Sequence, residues 1–433
     1  MEKLLEIAKK VALKAEVYSM ESTTNSVGLE DGRLNDIESK FQSGISLRII
    51  KDNKLGFAYT RNLTNREECL ENALVSLKGE VEANYDFPIT KEIPKIDTYN
   101  PSLENLSTTE MTEECFRVYE ALKSKINSEI DISAGTSTKE TRIINSNGTD
   151  ISSKTTSYEI YGSAKYSGAG TGIWRYLCSK KFEQMPSEIV NEIIELYKLS
   201  LNVVEPQGGK MKVMFMPNSM HTLIRRILSG TNSKNVYEKV SPIANKVGEK
   251  IFSEKITIYD DSLNDKYPGA RAFDDEGVRC NPLTIIGNGV LKSFYYDLNY
   301  AKKLNTTSTG HGYKWDISSK PAPSFAYMVI TPGDKSFSEL IKSIDKGIII
   351  ESVLGSHSGN ISNGDYSVGI NPGLYVENGE IRGRVKDAMV AGNIYETLKN
   401  VIEVGNTLDF SHGGRTRVPP ILCDNVSVAI KKR

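Results

Sequence analysis

The chain has 433 residues, 39% of them hydrophobic and 25% charged, the balance of an ordinary globular protein long enough for two or three domains. A formal net charge of -1 excludes a general nucleic-acid binder, which needs a basic excess to neutralise phosphates, so no direct nucleic-acid contact is expected. No stretch reaches the ~20 apolar residues of a membrane span, and the first residues mix charge into a helical pattern without a signal-peptide core, so the expectation is a cytoplasmic protein with no membrane association.

In chain order, Glu2 to Lys14 reads as a helix with Leu4, Leu5, Ala8, Val11 and Ala12 on one face. Two hairpins follow: Val27–Glu30 through Asp31-Gly32 into Arg33-Leu34, and Ile45–Ile50 through Lys51–Lys54 into Leu55–Tyr59. Asn65 to Lys78 predicts a helix, Tyr85 to Pro101 a polar surface crossing, and Thr109 to Ile126 another helix. Arg142 to Ser152, turning at Asn147-Gly148, is expected to open a second sheet-forming block that runs through Trp174. Pro186 to Leu201 reads as a helix and Glu205 to Lys210 as a linker, which places the main domain boundary there.

Beyond it, Lys212 to Met216 predicts a strand feeding an amphipathic helix, in which Met220, Leu223, Ile224, Ile227 and Leu228 recur at three-and-four spacing. Pro217, Asn218 and Ser219 supply its start and Gly230 its stop. Ile285-Ile286 to Val290-Leu291 and Leu374–Glu377 to Glu380-Ile381 turn on Asn-Gly pairs; a helix is expected near Ile394–Val401 and a closing strand at Asn425–Lys431. The fold class is therefore α+β: an N-terminal α/β domain with antiparallel strands over residues 1–205, and a C-terminal β-rich domain with a motif helix over 210–433.

Candidate chemistry is sparse. Cys69, Cys115, Cys178, Cys280 and Cys423 stand singly and in odd number, which fits reduced structural thiols; any histidine-based metal site must draw on His221, His311, His357 and His412. Asp274-Asp275-Glu276 is weighed as a solvated turn with a structural role against acid–base work or a hard-cation site. Ser356-His357-Ser358-Gly359 offers a hydroxyl beside an imidazole, but neighbours on an extended chain point apart, which argues against an acyl-transfer nucleophile. Gly364-Asp365-Tyr366-Ser367 is read equally as a tight loop held by Asp365 or as an exposed edge where Asp365, Tyr366 and Ser367 bind an extended peptide.

The order and spacing of His221–Gly230, Phe273–Val278, Gly287–Leu291, Gly364–Ser367 with Leu374–Ile381, and Ala391-Gly392-Asn393 leading to Val404-Gly405-Asn406 resemble the TldD/PmbA family, also described as modulators of DNA gyrase. The resemblance implies a two-branch protease: a TldD-type subunit with a His-Glu-x-x-x-His zinc helix plus a cysteine ligand, and a TldE/PmbA-type subunit without them. Carried over by position, those motif residues fall on His221, Thr222 and Arg226. Threonine cannot accept the proton near neutral pH, and a guanidinium has no lone pair for zinc.

The resemblance thus implies no catalytic residue and no metal or other cofactor in this chain, with zinc expected in a TldD-type partner. The family's cysteine segment is represented by Ser411-His412-Gly413-Gly414, and Cys423, later in the closing strand, does not inherit the ligand role. The expected function is a subunit of a cytoplasmic metalloprotease acting on unfolded or small peptides, in a heterodimer with a TldD-type subunit or a homodimer with itself. The alternatives are an autonomous metal-dependent peptidase with a divergent site, including one built from His221, His412 and a carboxylate, or a non-proteolytic binding module linked to gyrase.

Overall fold

Turn chemistry organises the N-terminal half. In the computed structural model, which describes residues 1–62, 65–168, 170–411 and 415–431, Asp31-Gly32 and Asp52-Asn53 all take positive φ. That geometry matches the twist of paired strands. After α1 (Glu2–Lys9), these turns join β1 (Lys14–Glu30), β2 (Arg33–Lys51) and β3 (Lys54–Thr60). The first helix is five residues shorter than its periodicity predicts: Val11 and Leu13 face solvent, and Lys14 already pairs with Ile50.

Helix α2 (Arg66–Ser76) starts at Asn65, whose side chain accepts from the Glu68 N–H; α3 (Thr108–Lys123) starts with a Ser107/Glu110 capping box. The strands β4 (Glu129–Asn145), β5 (Asp150–Lys165) and β6 (Gly172–Ser179) were expected to form a separate block. Instead β4 lies antiparallel beside β1, from Glu16↔Asn145 to Glu30↔Asp131, giving one six-stranded sheet of order β3-β2-β1-β4-β5-β6. The pairing joins residues more than a hundred positions apart, which local pattern cannot specify.

Residues of one parity in β1 (Ala15, Val17, Val27, Leu29) bury against helices, α1 and α2 at one end of the sheet and α3 with α4 (Ser187–Leu199) at the other. The opposite parity, including Glu16 and Tyr18, faces the C-terminal half.

That half is built on a ten-stranded sheet whose central strand, Gly209–Phe215, lies parallel to Lys346–Ile350 and antiparallel to Ile421–Ile430. Alternation along it sends Met214 toward α3 and α4, and Val213 and Phe215 toward α5 (His221–Thr231). One apolar layer therefore joins segments on both sides of residues 205–210. Gly230 does not stop α5: it lies inside the last turn, where a Cβ would fall 2.3 Å from the Tyr395 hydroxyl, and the helix ends before Asn232, which caps the next one. The expected helix at Ile394 is also short, because Val401 enters a strand paired with Cys423.

A second six-stranded sheet, containing Ile258–Asp260, Leu283–Gly287 and Met328–Ile330, flanks the helix α5 side. Among the described residues no helix is long and apolar enough to cross a membrane.

Candidate functional site around the His221 helix

The strand Gly209–Phe215 delivers the chain into a turn in which Ser219 Oγ donates to the Met216 carbonyl at 2.8 Å; His221 opens α5 with Nδ1 2.8 Å from the Asn218 carbonyl oxygen. Asn218 Nδ2 donates to the Trp174 carbonyl at 3.1 Å, which ties this turn to β6. His221, Ile224, Arg225 and Leu228 then recur on one face of α5 and line a cleft of about 730 Å³, whose other walls include Trp174, Trp315, Phe325 and Met328. The chain has two tryptophans and both border this cleft, Trp315 being 96% exposed.

Thr222 and Arg226 lie elsewhere, fully buried on another side of the helix. Arg226 donates from Nε to the Asp365 carbonyl (2.6 Å), from Nη1 to the Thr222 and Ser356 carbonyls (2.7 and 3.0 Å) and from Nη2 to the Ser358 carbonyl (2.6 Å). The guanidinium also lies over the Tyr366 ring, 5.9 Å from its centre. Among the described residues no carboxylate pairs with it; burial, then Arg225, hold its pKa below the usual guanidinium value. A guanidinium stays protonated in proteins, so the position of the second zinc histidine carries a positive charge with four of its N–H donors already committed.

These residues do not fit a zinc ion. Among the described residues no three His, Cys, Asp or Glu side chains converge. Cys423 lies in the strand Ile421–Ile430, wholly buried, and burial pushes its thiol far up. His412, with Gly413 and Gly414, lies outside the described residues, so the His221–His412 combination has no geometry here.

The other motifs fall into place around Arg226. The backbone carbonyls flanking exposed His357 are the ones the guanidinium holds, so Ser356–Gly359 forms a pinned loop. Tyr366 is 2% exposed, with its hydroxyl 2.7 Å from Thr397 Oγ1; the Asp365 carboxylate accepts from Asn393 Nδ2 at 2.9 Å, and the Ser367 N–H donates to the Ser358 carbonyl at 3.3 Å. The strand Asp365–Ile370 pairs on one side with Ala388–Asn393 and is covered on the other, at Ser367, by the pinned loop.

Asp274-Asp275-Glu276 is not a solvated turn. All three are buried, and the oxygens of Asp275 and Glu276 join the two halves of the molecule. Asp274 accepts from the Glu276, Val278 and Gly312 N–H groups at 2.8 to 3.0 Å. Asp275 accepts from Arg271 Nη2 (2.5 Å), the Lys314 N–H (2.9 Å) and the Tyr18 hydroxyl (3.3 Å). Glu276 accepts from Arg48 Nη1 (2.8 Å) and the Leu298 N–H (2.7 Å), while Arg48 also clasps Glu16 through Nε and Nη2, each at 2.9 Å.

Burial works to raise the Asp275 pKa, but Arg271 and Lys139 outweigh it and hold the group at about 2. Burial pushes Glu16 up to about 6 and Lys314 down to about 7. Nothing local marks these partners: Arg48 and Glu276 are 228 positions apart. Elsewhere His311 Nε2 lies 3.1 Å from Asp260 Oδ2, its ring packed against Tyr295 and Phe325; the sequence offered the histidine but not this partner.

The scaffold is thus an α+β chain in which the motif helix borders an open cleft. The sequence matches the PmbA/TldA metallopeptidase domain 1 over residues 15–76, the central domain over 101–199 and the C-terminal domain over 208–430. The chain belongs to the TldD/PmbA family. It is similar to TldE from Thermococcus kodakarensis, at 26% identity and a TM-score of 0.92 over 99% of both chains. It is also similar to a proposed modulator of a DNA gyrase from Thermotoga maritima, at 27% identity and a TM-score of 0.87 over 99% of both. A metalloprotease of Methanothermobacter thermautotrophicus is 27% identical over 92% of this chain and 89% of that protein.

Proposed function

We propose that this chain is a TldE/PmbA-type, non-catalytic subunit of a cytoplasmic metalloprotease, pairing with a zinc-bearing TldD-type subunit and helping to present unfolded or small peptides to it. The observation that carries the reading is Arg226, a buried cation standing at the second zinc-histidine position and committed to four backbone carbonyls. The zinc, its water and the activating glutamate then belong to the partner. The cleft beside His221, bordered by Trp174 and Trp315, gives an extended peptide aromatic surface to lie on.

Support for pairing comes from β2. Its pairing with β3 begins only at Ile45, so among the described residues the outer edge of residues 33–41 has no strand beside it. Leu34, Ile37 and Phe41 are exposed along that stretch. A long free edge with apolar side chains is a ready surface for another chain.

The test is to mix the chain with a TldD-type subunit carrying His-Glu-x-x-x-His and follow both complex mass and hydrolysis of an unfolded peptide. The reading expects hydrolysis only from the mixture, and weaker pairing when Ile37→Lys and Phe41→Lys are combined. Equal hydrolysis by the isolated chain would overturn the non-catalytic assignment and favour an autonomous peptidase.

A further inference from the structure

The face of the first sheet opposite its helices holds a second, smaller cavity of about 180 Å³. Register places Lys139 opposite Thr155 and Ser137 opposite Ser157, so β4 and β5 direct one amine and three hydroxyls to a common face. The C-terminal half contributes Arg271 and Arg415 from across the gap.

The cations there are poorly matched. Arg271 is paired with Asp275 at 2.5 Å and lies over the Tyr313 ring, 5.3 Å from its centre. Lys139 and Arg415 make no side-chain hydrogen bond or ion pair among the described residues, and Glu159, the carboxylate lining the cavity, accepts from the Tyr176 hydroxyl. Three cations therefore meet two carboxylates, each of which already has its own donor. Burial, then Arg271 and Arg415 against the opposing pull of Asp275, push the Lys139 amine down to about 8.

Size suits a small occupant: about 180 Å³ admits a tetrahedral oxyanion or a carboxylate. Arg415 also lines the His221 cleft, so whatever sits in this cavity adjoins that cleft.

We propose that Lys139, Arg271 and Arg415, with the hydroxyls of Ser137, Thr155 and Ser157, form an oxyanion site that takes inorganic phosphate or the terminal carboxylate of a peptide lying in the adjoining cleft. The phosphate source is independent of the subunit pairing proposed above; the carboxylate source rests on that reading.

The experiment uses the full chain and an amine-acylating reagent near pH 8, with modification of Lys139 mapped by mass spectrometry. Inorganic phosphate is added in one arm, a peptide with a free terminal carboxylate in the second, and the same peptide amidated in the third. Protection by phosphate assigns the site to the free anion. Protection by the carboxylate peptide, without protection by the amidated one, assigns it to a peptide end.

Binding of the protecting anion, measured by direct titration, is expected to weaken roughly tenfold or more in Lys139→Met, which removes a charge-assisted hydrogen bond, and to survive in Lys139→Arg. Should Lys139→Met fail to fold, Arg415→Gln supplies the same comparison from the other wall. Lys139 labelled equally in all arms, or anion affinity unchanged in the folded variants, would overturn the site.

Discussion

Replacing Arg226 with Met keeps a chain of similar length and removes the guanidinium fork. The Thr222 carbonyl can still accept within α5, but the Ser356, Ser358 and Asp365 carbonyls lose the donor that now lies 2.6 to 3.0 Å away. A buried acceptor left without a donor costs about 1–3 kcal/mol. Ser356 borders the cleft and regains a bond to water there, Ser358 keeps the Ser367 N–H as a donor, and removing a buried cation returns part of its desolvation cost. The Asp365 carbonyl is then the acceptor left short, and the net expectation is a loss of about 1–3 kcal/mol, concentrated in the loop 355–365.

A chain with several cores need not unfold in one step, so local hydrogen exchange is the better assay. At about 1.4 kcal/mol per factor of ten, amides of the pinned loop and of Ser367 should exchange roughly one to two orders of magnitude faster in Arg226→Met, while β4 and β5 stay protected. Arg226→Lys, with three donors but no planar fork, should recover only part of the protection. If Arg226→Met leaves exchange of this loop unchanged, the guanidinium is not what holds it, and the account of the replaced zinc position is wrong.

The acidic cluster yields two further tests. Asp275, held at about 2 in the fold against an ordinary 3.8, adds stability that is present above the ordinary value and lost as pH falls through about 2. That difference corresponds to about 2 kcal/mol, so between pH 5 and pH 2 Asp275→Asn should lose less stability than the parent by roughly that amount, read from urea midpoints across pH. Equal acid sensitivity would remove Asp275 from the cluster's acid response. Gly312→Ala would place a Cβ 2.4 Å from Glu276 Oε2 and force apart the carboxylate that Arg48 and the Leu298 N–H hold. It should lower stability by about 1–3 kcal/mol in thermal or urea unfolding, and a neutral effect would show that this junction yields easily.

What was legible from the sequence follows the range of the forces involved. Asp31-Gly32, Asp52-Asn53, Asn288-Gly289 and Asn378-Gly379 announce their turns because positive φ selects those residue types. Asn65 announces a helix start because its cap is made three residues away, whereas the capping box of Ser107 and Glu110 places the N-cap of α3 two residues before the expected Thr109. The placement of β4 beside β1, and the burial of Asp274-Asp275-Glu276 against Arg48 and Tyr18, depend on partners that no local window contains. At the candidate site, the residue types at 222 and 226 already argue against a zinc ligand set. That Arg226 instead gathers the carbonyls of Ser356, Ser358 and Asp365 required the tertiary structure, as did the meeting of Lys139 with Arg271 and Arg415.

The most direct test of the central claim is metal per chain, counted by elemental mass spectrometry on protein purified without chelator or metal-affinity tag, alone and after pairing with a TldD-type subunit. The account predicts well under one zinc per isolated chain, with the complex carrying only the partner's metal. About one zinc per isolated chain, removed by His221→Ala, would contradict it and place a reaction centre in this subunit.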